Sequence, residues 1–228
     1  MIAAVYCPCG IVISTFKEDF FLDIHGTEKQ PTHNTVRIVG LPHTITFWNR
    51  YSLIYKLLDS YNYDFRLEIL TEQLKNRWSE TPSIATLMPY VKKMLMDNHV
   101  QLIGVMAGYE STENGYEPYV YQILGQEIYR VNRNEAGQVQ YDYLCLEERT
   151  TVKKLLMECK LANGNTWEEY EKTSVRCDLF SIEKAIDFSK FMLATNRYVN
   201  HLNSVMYDEP LLYDMVIITP YGVKKQDE

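Results

Sequence analysis

Long hydrophobic runs are absent from this chain of 228 residues. No stretch approaches the roughly 18 consecutive apolar residues that a membrane-crossing helix requires, so no membrane partner is expected. Positive charge is scarce: Lys+Arg number 23 against 30 Asp+Glu, a net charge of -7. A nucleic-acid partner generally needs a basic face, so that deficit argues against one. The residues Met1-Ile2-Ala3-Ala4-Val5-Tyr6 lack both a basic leader and a long apolar stretch, so no secretory signal is expected and the setting reads as cytoplasmic. Cysteine is sparse and odd in number, five in all (Cys7, Cys9, Cys145, Cys159, Cys177). Reduced thiols follow as the expectation. Cys7-Pro8-Cys9 has neither zinc-knuckle nor CxxC spacing, and the five histidines (His25, His33, His43, His99, His201) form no HxxxH or HExxH pattern. No metal is expected. The run Gly104 to Gly108 lacks the Gly-Lys-Thr of a phosphate-binding loop, and no cofactor is expected.

What the chain does have is apolar material and tyrosine. The apolar fraction is 46% with a mean hydropathy of -0.27, which suits a globular core and excludes a mainly disordered chain. Tyrosines number 18 against 10 glycines. Each joins an apolar ring to a polar tip, a combination suited to half-buried strands and to subunit interfaces.

Along the chain, Ile2 to Cys7 and Gly10 to Phe16 read as strands separated by a hairpin-like Cys-Pro-Cys-Gly break. A third strand is expected at Phe20 to Ile24, a loop at His25 to Asn34, and a strand at Thr35 to Gly40. Phe47, Trp48, Tyr51, Ile54, Tyr55 and Leu58 recur at three- and four-residue steps, which predicts a helix capped by Thr44 or Thr46. A second helical zone spans Thr71 to Asn98. Pro82 and Pro89 divide it, and the longer piece should start near Pro89 or just before it. Val100 to Tyr109, Pro118 to Leu124, Gln126 to Val131 and Val139 to Leu146 then alternate with period two, with turns at Ser111 to Gly115 and Asn134 to Gly137. Their short connections predict one antiparallel meander. A short helix is expected at Thr151 to Lys160, stopped by Ala162-Asn163-Gly164-Asn165. A longer one is expected at Ser181 to His201, with Ser181 as N-cap and Glu183 in its first turn. Asp214 to Thr219 reads as a strand ending at the turn Pro220-Tyr221-Gly222. One α+β domain over residues 1–228 is the reading.

Several strings in this order resemble the proteasome β-subunit and HslV protease family. Ile103-Gly104-Val105-Met106-Ala107-Gly108-Tyr109 with Pro118-Tyr119-Val120-Tyr121-Gln122-Ile123 resembles that family's "vaGyd … lyqid" hairpin. Ser181-Ile182-Glu183-Lys184-Ala185-Ile186, with Thr195-Asn196 further on, resembles its penultimate helix. Tyr213 to Val223 resembles its closing "vavItpdG" strand, and Gly10-Ile11-Val12-Ile13 its "dGvvla" start. The resemblance implies an N-terminal-nucleophile (Ntn) hydrolase fold, a four-layer αββα sandwich of two antiparallel sheets. It also implies self-assembly into homo-oligomeric rings that meet a protein or peptide partner.

In that family an N-terminal threonine hydroxyl attacks the amide, and its own α-amine accepts the proton. Here position 2 is isoleucine. Alignment on Gly10 puts Lys17 where the strand-end acid belongs, and Lys29 is the nearest match to the lysine beside the nucleophile. The later Gly-Ser-Gly is replaced by Leu144-Cys145-Leu146-Glu147. Four such departures predict a subunit without threonine-type peptidase activity. Two alternatives stay open: a peptidase or amidohydrolase using Cys7 or Cys9 as nucleophile, and an unrelated α+β protein-binding domain.

Overall fold

The computed structural model describes residues 2–16, 37–40, 51–57, 83–113, 115–146, 159–162, 166–169, 175–201 and 213–227. Strands β1 (Ile2–Cys7) and β2 (Gly10–Phe16) form a hairpin closed by Pro8 and Cys9, in register from Cys7↔Gly10 to Ile2↔Thr15. β1 is buried along its whole length. Its alternation therefore feeds two cores, as the period of two dictates. Ile2, Ala4 and Tyr6 join one apolar cluster, and Ala3, Val5 and Cys7 join another.

β1 and β2 lie in a five-stranded antiparallel sheet of order β12-β11-β2-β1-β8. Here β8 is Asp142–Leu146, β11 is Tyr213–Thr219 and β12 is Gly222–Asp227. The second five-stranded antiparallel sheet has the order β3-β4-β5-β6-β7. Its strands are β3 (Arg37–Gly40), β4 (Tyr51–Leu57), β5 (Leu102–Thr112), β6 (Gly115–Gly125) and β7 (Glu127–Arg130). A separate hairpin pairs β9 (Cys159–Ala162) with β10 (Thr166–Glu169).

The sheets stack face to face. Ile2, Ala4, Ile11, Ile13, Val216 and Ile218 of the first meet Val105, Ala107, Tyr109 and Val120 of the second. The outer face of each sheet carries one described helix. Helix α1 (Ile84–Asp97) packs Ile84, Leu87, Val91 and Leu95 against Leu102, Met106 and Ile123. Helix α2 (Ile182–His201) packs Ala185, Met192 and Leu193 against Ala3, Val5, Val12 and Met215. The order helix, sheet, sheet, helix is the expected four-layer α+β sandwich.

Local chemistry sets the helix ends. The Oγ of Ser83 accepts the N–H of Thr86 at 3.1 Å, and the Oε1 of Glu110 on β5 accepts the N–H of Ala85 at 3.0 Å, so two orphan donors of the first turn are satisfied. At the start of α2 the Oγ of Ser181 accepts the N–H of Lys184 at 3.3 Å, as its expected N-cap role requires. Backbone N–H and the Ser181 hydroxyl hold the carboxyl of Glu183 below its usual range. Asn132, just beyond β7, holds on to β6. Its Oδ1 accepts the N–H of Val120 at 3.0 Å and its Nδ2 donates to the carbonyl of Pro118 at 2.7 Å.

Several expectations are corrected. Residues 51–57 form β4 and not a helix. Tyr51, Leu53, Tyr55 and Leu57 also recur at steps of two, and β4 is hydrogen-bonded on both sides, with Tyr51 opposite Gly108 and Tyr55 opposite Gly104. Two flanking partners outweigh a helical period. The four-stranded meander breaks after β7, because β8 crosses over and pairs with β1. Helix α1 starts at Ile84, five residues before Pro89, which sits inside it on an exposed face. Cys159 and Lys160, expected in a helix, belong to β9, and Gly222–Asp227 adds an edge strand that was not expected. The expected strand at 20–24 and the helical residues 71–82 and 151–158 lie outside the described residues.

Candidate functional site

The start of β1 is where the catalytic expectation concentrates. Ile2 is fully buried, hydrogen-bonded in register between Thr15 of β2 and Leu146 of β8, and its side chain belongs to the cluster between the sheets. Residues 2–5 are Ile-Ala-Ala-Val and carry no nucleophilic side-chain atom. Tyr6 carries a hydroxyl, but burial and the charge of Asp142 push its pKa far above the ordinary tyrosine value. It stays a neutral phenol. Lys17 and Lys29, the two candidate site lysines, lie outside the described residues.

Deeper in the same layer, Ser14 of β2 and Ser189 of α2 share a hydrogen bond between their hydroxyls. Both are fully buried, so they satisfy each other and no substrate meets them. Two turns further along α2, Asn196 is buried, and its Oδ1 has no hydrogen-bond partner among the described residues. The two serine hydroxyls join strand to helix. They carry no acid–base pair that would activate a nucleophile. The Ser14–Ser189 contact spans 175 positions of sequence, so no local pattern could have announced it.

The opposite end of the sandwich is chemically richer. Ile11 of β2 pairs with Ile218 of β11, which sets the Pro8-Cys9 turn beside the Pro220-Tyr221 turn. Cys9 is exposed and Cys7 is buried. The Cys7 thiol donates to the Gly10 carbonyl at 3.3 Å. Burial pushes its pKa up, partly offset by the backbone N–H groups of Cys9 and Gly10. A thiol held in that form is a poor amide nucleophile. Tyr109 of β5 is buried, and its hydroxyl has no hydrogen-bond partner among the described residues. Burial raises its pKa far above the ordinary value, with Cys7, Tyr141 and Cys9 adding to the effect. Tyr116 and Tyr221 meet edge to face at 6.3 Å, and Tyr221 is 89% exposed. This end therefore gathers thiols and phenols around the Pro8-Cys9 and Pro220-Tyr221 turns. Among the described residues no group of three His, Cys, Asp or Glu side chains could hold a metal ion.

No protein-family model matches the sequence, and no curated protein matches it. Solved structures do. Anbu from Hyphomicrobium sp. strain MC1 superposes with a TM-score of 0.59 at 10% identity, covering 99% of this chain and 86% of that one. Anbu (ancestral beta-subunit) from Yersinia bercovieri gives a TM-score of 0.55 at 7% identity, covering 100% of this chain and 87% of that one. These identities show a shared proteasome-like fold and nothing finer. They also correct the sequence resemblance: the structural neighbours are Anbu proteins, and no sequence family supports placement among proteasome β-subunits or HslV. The strings around Ile103, Ser181 and Tyr213 mark β5, α2 and β11 of the sandwich. An apolar strand, a capped helix and a closing hairpin are what any sequence needs to build those elements.

Proposed function

We propose that this chain is a self-assembling subunit of Anbu-like fold that does not cleave amides from the start of its first strand. The observation that carries the reading is Ile2: apolar, fully buried, and paired on both sides at the strand position where catalysis would need an exposed hydroxyl. That burial is a property of β1 itself, whatever segment precedes it. The likeness to a protein titled an ancestral beta-subunit supports assembly, as do the exposed aromatic side chains Tyr116, Tyr129, Phe191 and Tyr221. Aromatic residues of this kind are enriched in interfaces.

Two measurements test the reading. Size-exclusion chromatography with light scattering should give an oligomer, and a monomer at micromolar concentration would refute assembly. Fluorogenic peptides should not be cleaved above the rate of a heat-denatured control. Turnover lost on Lys17→Ala or Lys29→Ala would refute the absence of catalysis.

A further inference from the structure

Cys7 and Cys9 flank a single proline in the tight turn that joins β1 to β2. The Cys7 sulfur donates to the Gly10 carbonyl at 3.3 Å, and the backbone N–H groups of Cys9 and Gly10 act back on it. The sulfur thus hangs over the turn beside the backbone of Cys9. Two Cα–Cα steps of about 3.8 Å, bent by the Cys7↔Gly10 pairing into a tight turn, keep the Cα atoms of Cys7 and Cys9 well under about 7.6 Å apart. A disulfide needs about 4.4–6.8 Å. Pro8 fixes one backbone torsion, so little conformational freedom separates the two thiols. Their exposures divide the labour: Cys9 faces solvent and Cys7 is covered.

We propose that the Cys7-Pro8-Cys9 turn is a reversible dithiol–disulfide site whose oxidant is a low-molecular-weight disulfide of the glutathione class. The Cys9 thiolate attacks one sulfur of glutathione disulfide; an S–S bond forms at Cys9, the old S–S bond breaks, and one glutathione thiolate leaves. Cys7 then attacks the Cys9 sulfur. The Cys7–Cys9 bond forms, the mixed disulfide breaks, and the second glutathione leaves with the proton that Cys7 gives up. Two protein thiols are oxidised and one glutathione disulfide is reduced to two thiols. The ring so closed spans one intervening residue and is tight, and strained, exposed disulfides are readily reduced. The site is accordingly a switch and not a staple, which suits a reducing compartment. Oxidation draws the Cys7 sulfur from the Gly10 carbonyl, at the place where Ile182 of α2 seats on β2.

The test exposes the full folded chain to glutathione redox buffers of rising disulfide fraction, followed by alkylation, intact mass and peptide mapping. Expected is a loss of about 2 Da, two hydrogens, mapped to a Cys7–Cys9 link and reversed by dithiothreitol. In Cys7→Ser the glutathione adduct at Cys9 should persist, whereas in the natural chain it is transient. Cys9→Ser, a change at an exposed position, should retain an unoxidised Cys7 under the same buffers. A stable Cys9 adduct in the natural chain would overturn the proposal. So would a link from Cys7 to Cys177, which lies in the same buried cluster.

Discussion

The two helix–sheet layers are filled differently. Under α1 the core is long and compliant: Met88, Met94 and Met106 pack with Ile84, Leu87, Leu95 and Ile123. Under α2, Met192, Leu193 and Met215 share the core with small residues: Ala3, Val5, Val12 and Ala185 bring helix and strand together, with the Ser14–Ser189 pair inside. At Gly10 the approach leaves no room, since an added Cβ would lie 2.6 Å from Ile182 Cδ1 and 3.0 Å from the Ile218 carbonyl oxygen. Thioether chains adapt to irregular space, whereas small residues and a buried hydrogen bond demand one geometry. The α1 layer holds its helix by volume, and the α2 layer holds its helix by fit.

That contrast predicts a graded set of stability changes, each read from the shift of a chemical unfolding midpoint. Leu95→Ala empties the α1 core and should cost toward the lower part of about 2–5 kcal/mol, because Met88 and Met94 can collapse into the space. A cost near the top of that range would show the α1 layer to be as rigid as its counterpart. Gly10→Ala adds one carbon to the α2 layer and should cost about 1–3 kcal/mol, since a backbone carbonyl stands on one side of it. No measurable change there would remove the claim of close fit. Ser189→Ala leaves the Ser14 hydroxyl buried alone, at about 1–3 kcal/mol. The double change Ser14→Ala with Ser189→Ala should recover part of that loss, because no orphan remains. Met94→Leu, a near volume-conserving exchange in the compliant layer, should cost less than about 1.5 kcal/mol. If it costs more than Gly10→Ala, the ranking of the two layers is reversed.

Local features were the readable ones. The β1–β2 hairpin, the β5–β6 hairpin and the Ser181-capped helix each announce themselves within a few residues, by alternation, by a turn or by a cap. Residues 51–57 fit both periods at once, and only the distant strands β3 and β5 decide between them. β12 escapes notice because Gly222-Val223-Lys224-Lys225-Gln226-Asp227 is polar. It is an edge strand, where lysines guard against unwanted pairing. β8 reads correctly as a strand, but its partner is β1, more than a hundred residues earlier. The site was legible only in part. The lack of a nucleophile near Ile2 is plain from residue types, but its burial and pairing are not. Cys-Pro-Cys stood out as a turn, yet the division into one covered and one exposed thiol depends on α2 and β11 closing around it.

The strand order also governs how the protein must be made. The β3 to β7 sheet joins neighbours in chain order, so it can assemble as its residues arrive. The other sheet places β2 directly beside β11, bringing Phe16 to Tyr213 and Ile11 to Ile218. Contacts of such sequence separation are slow to form, because the loop entropy is spent before they reward it. During synthesis β2 therefore waits with one edge open until Tyr213 and the residues after it have emerged. The edge left open is Ile11, Val12 and Ile13, the most apolar stretch of β2. The interval before β11 docks is the protein's period of greatest exposure to aggregation.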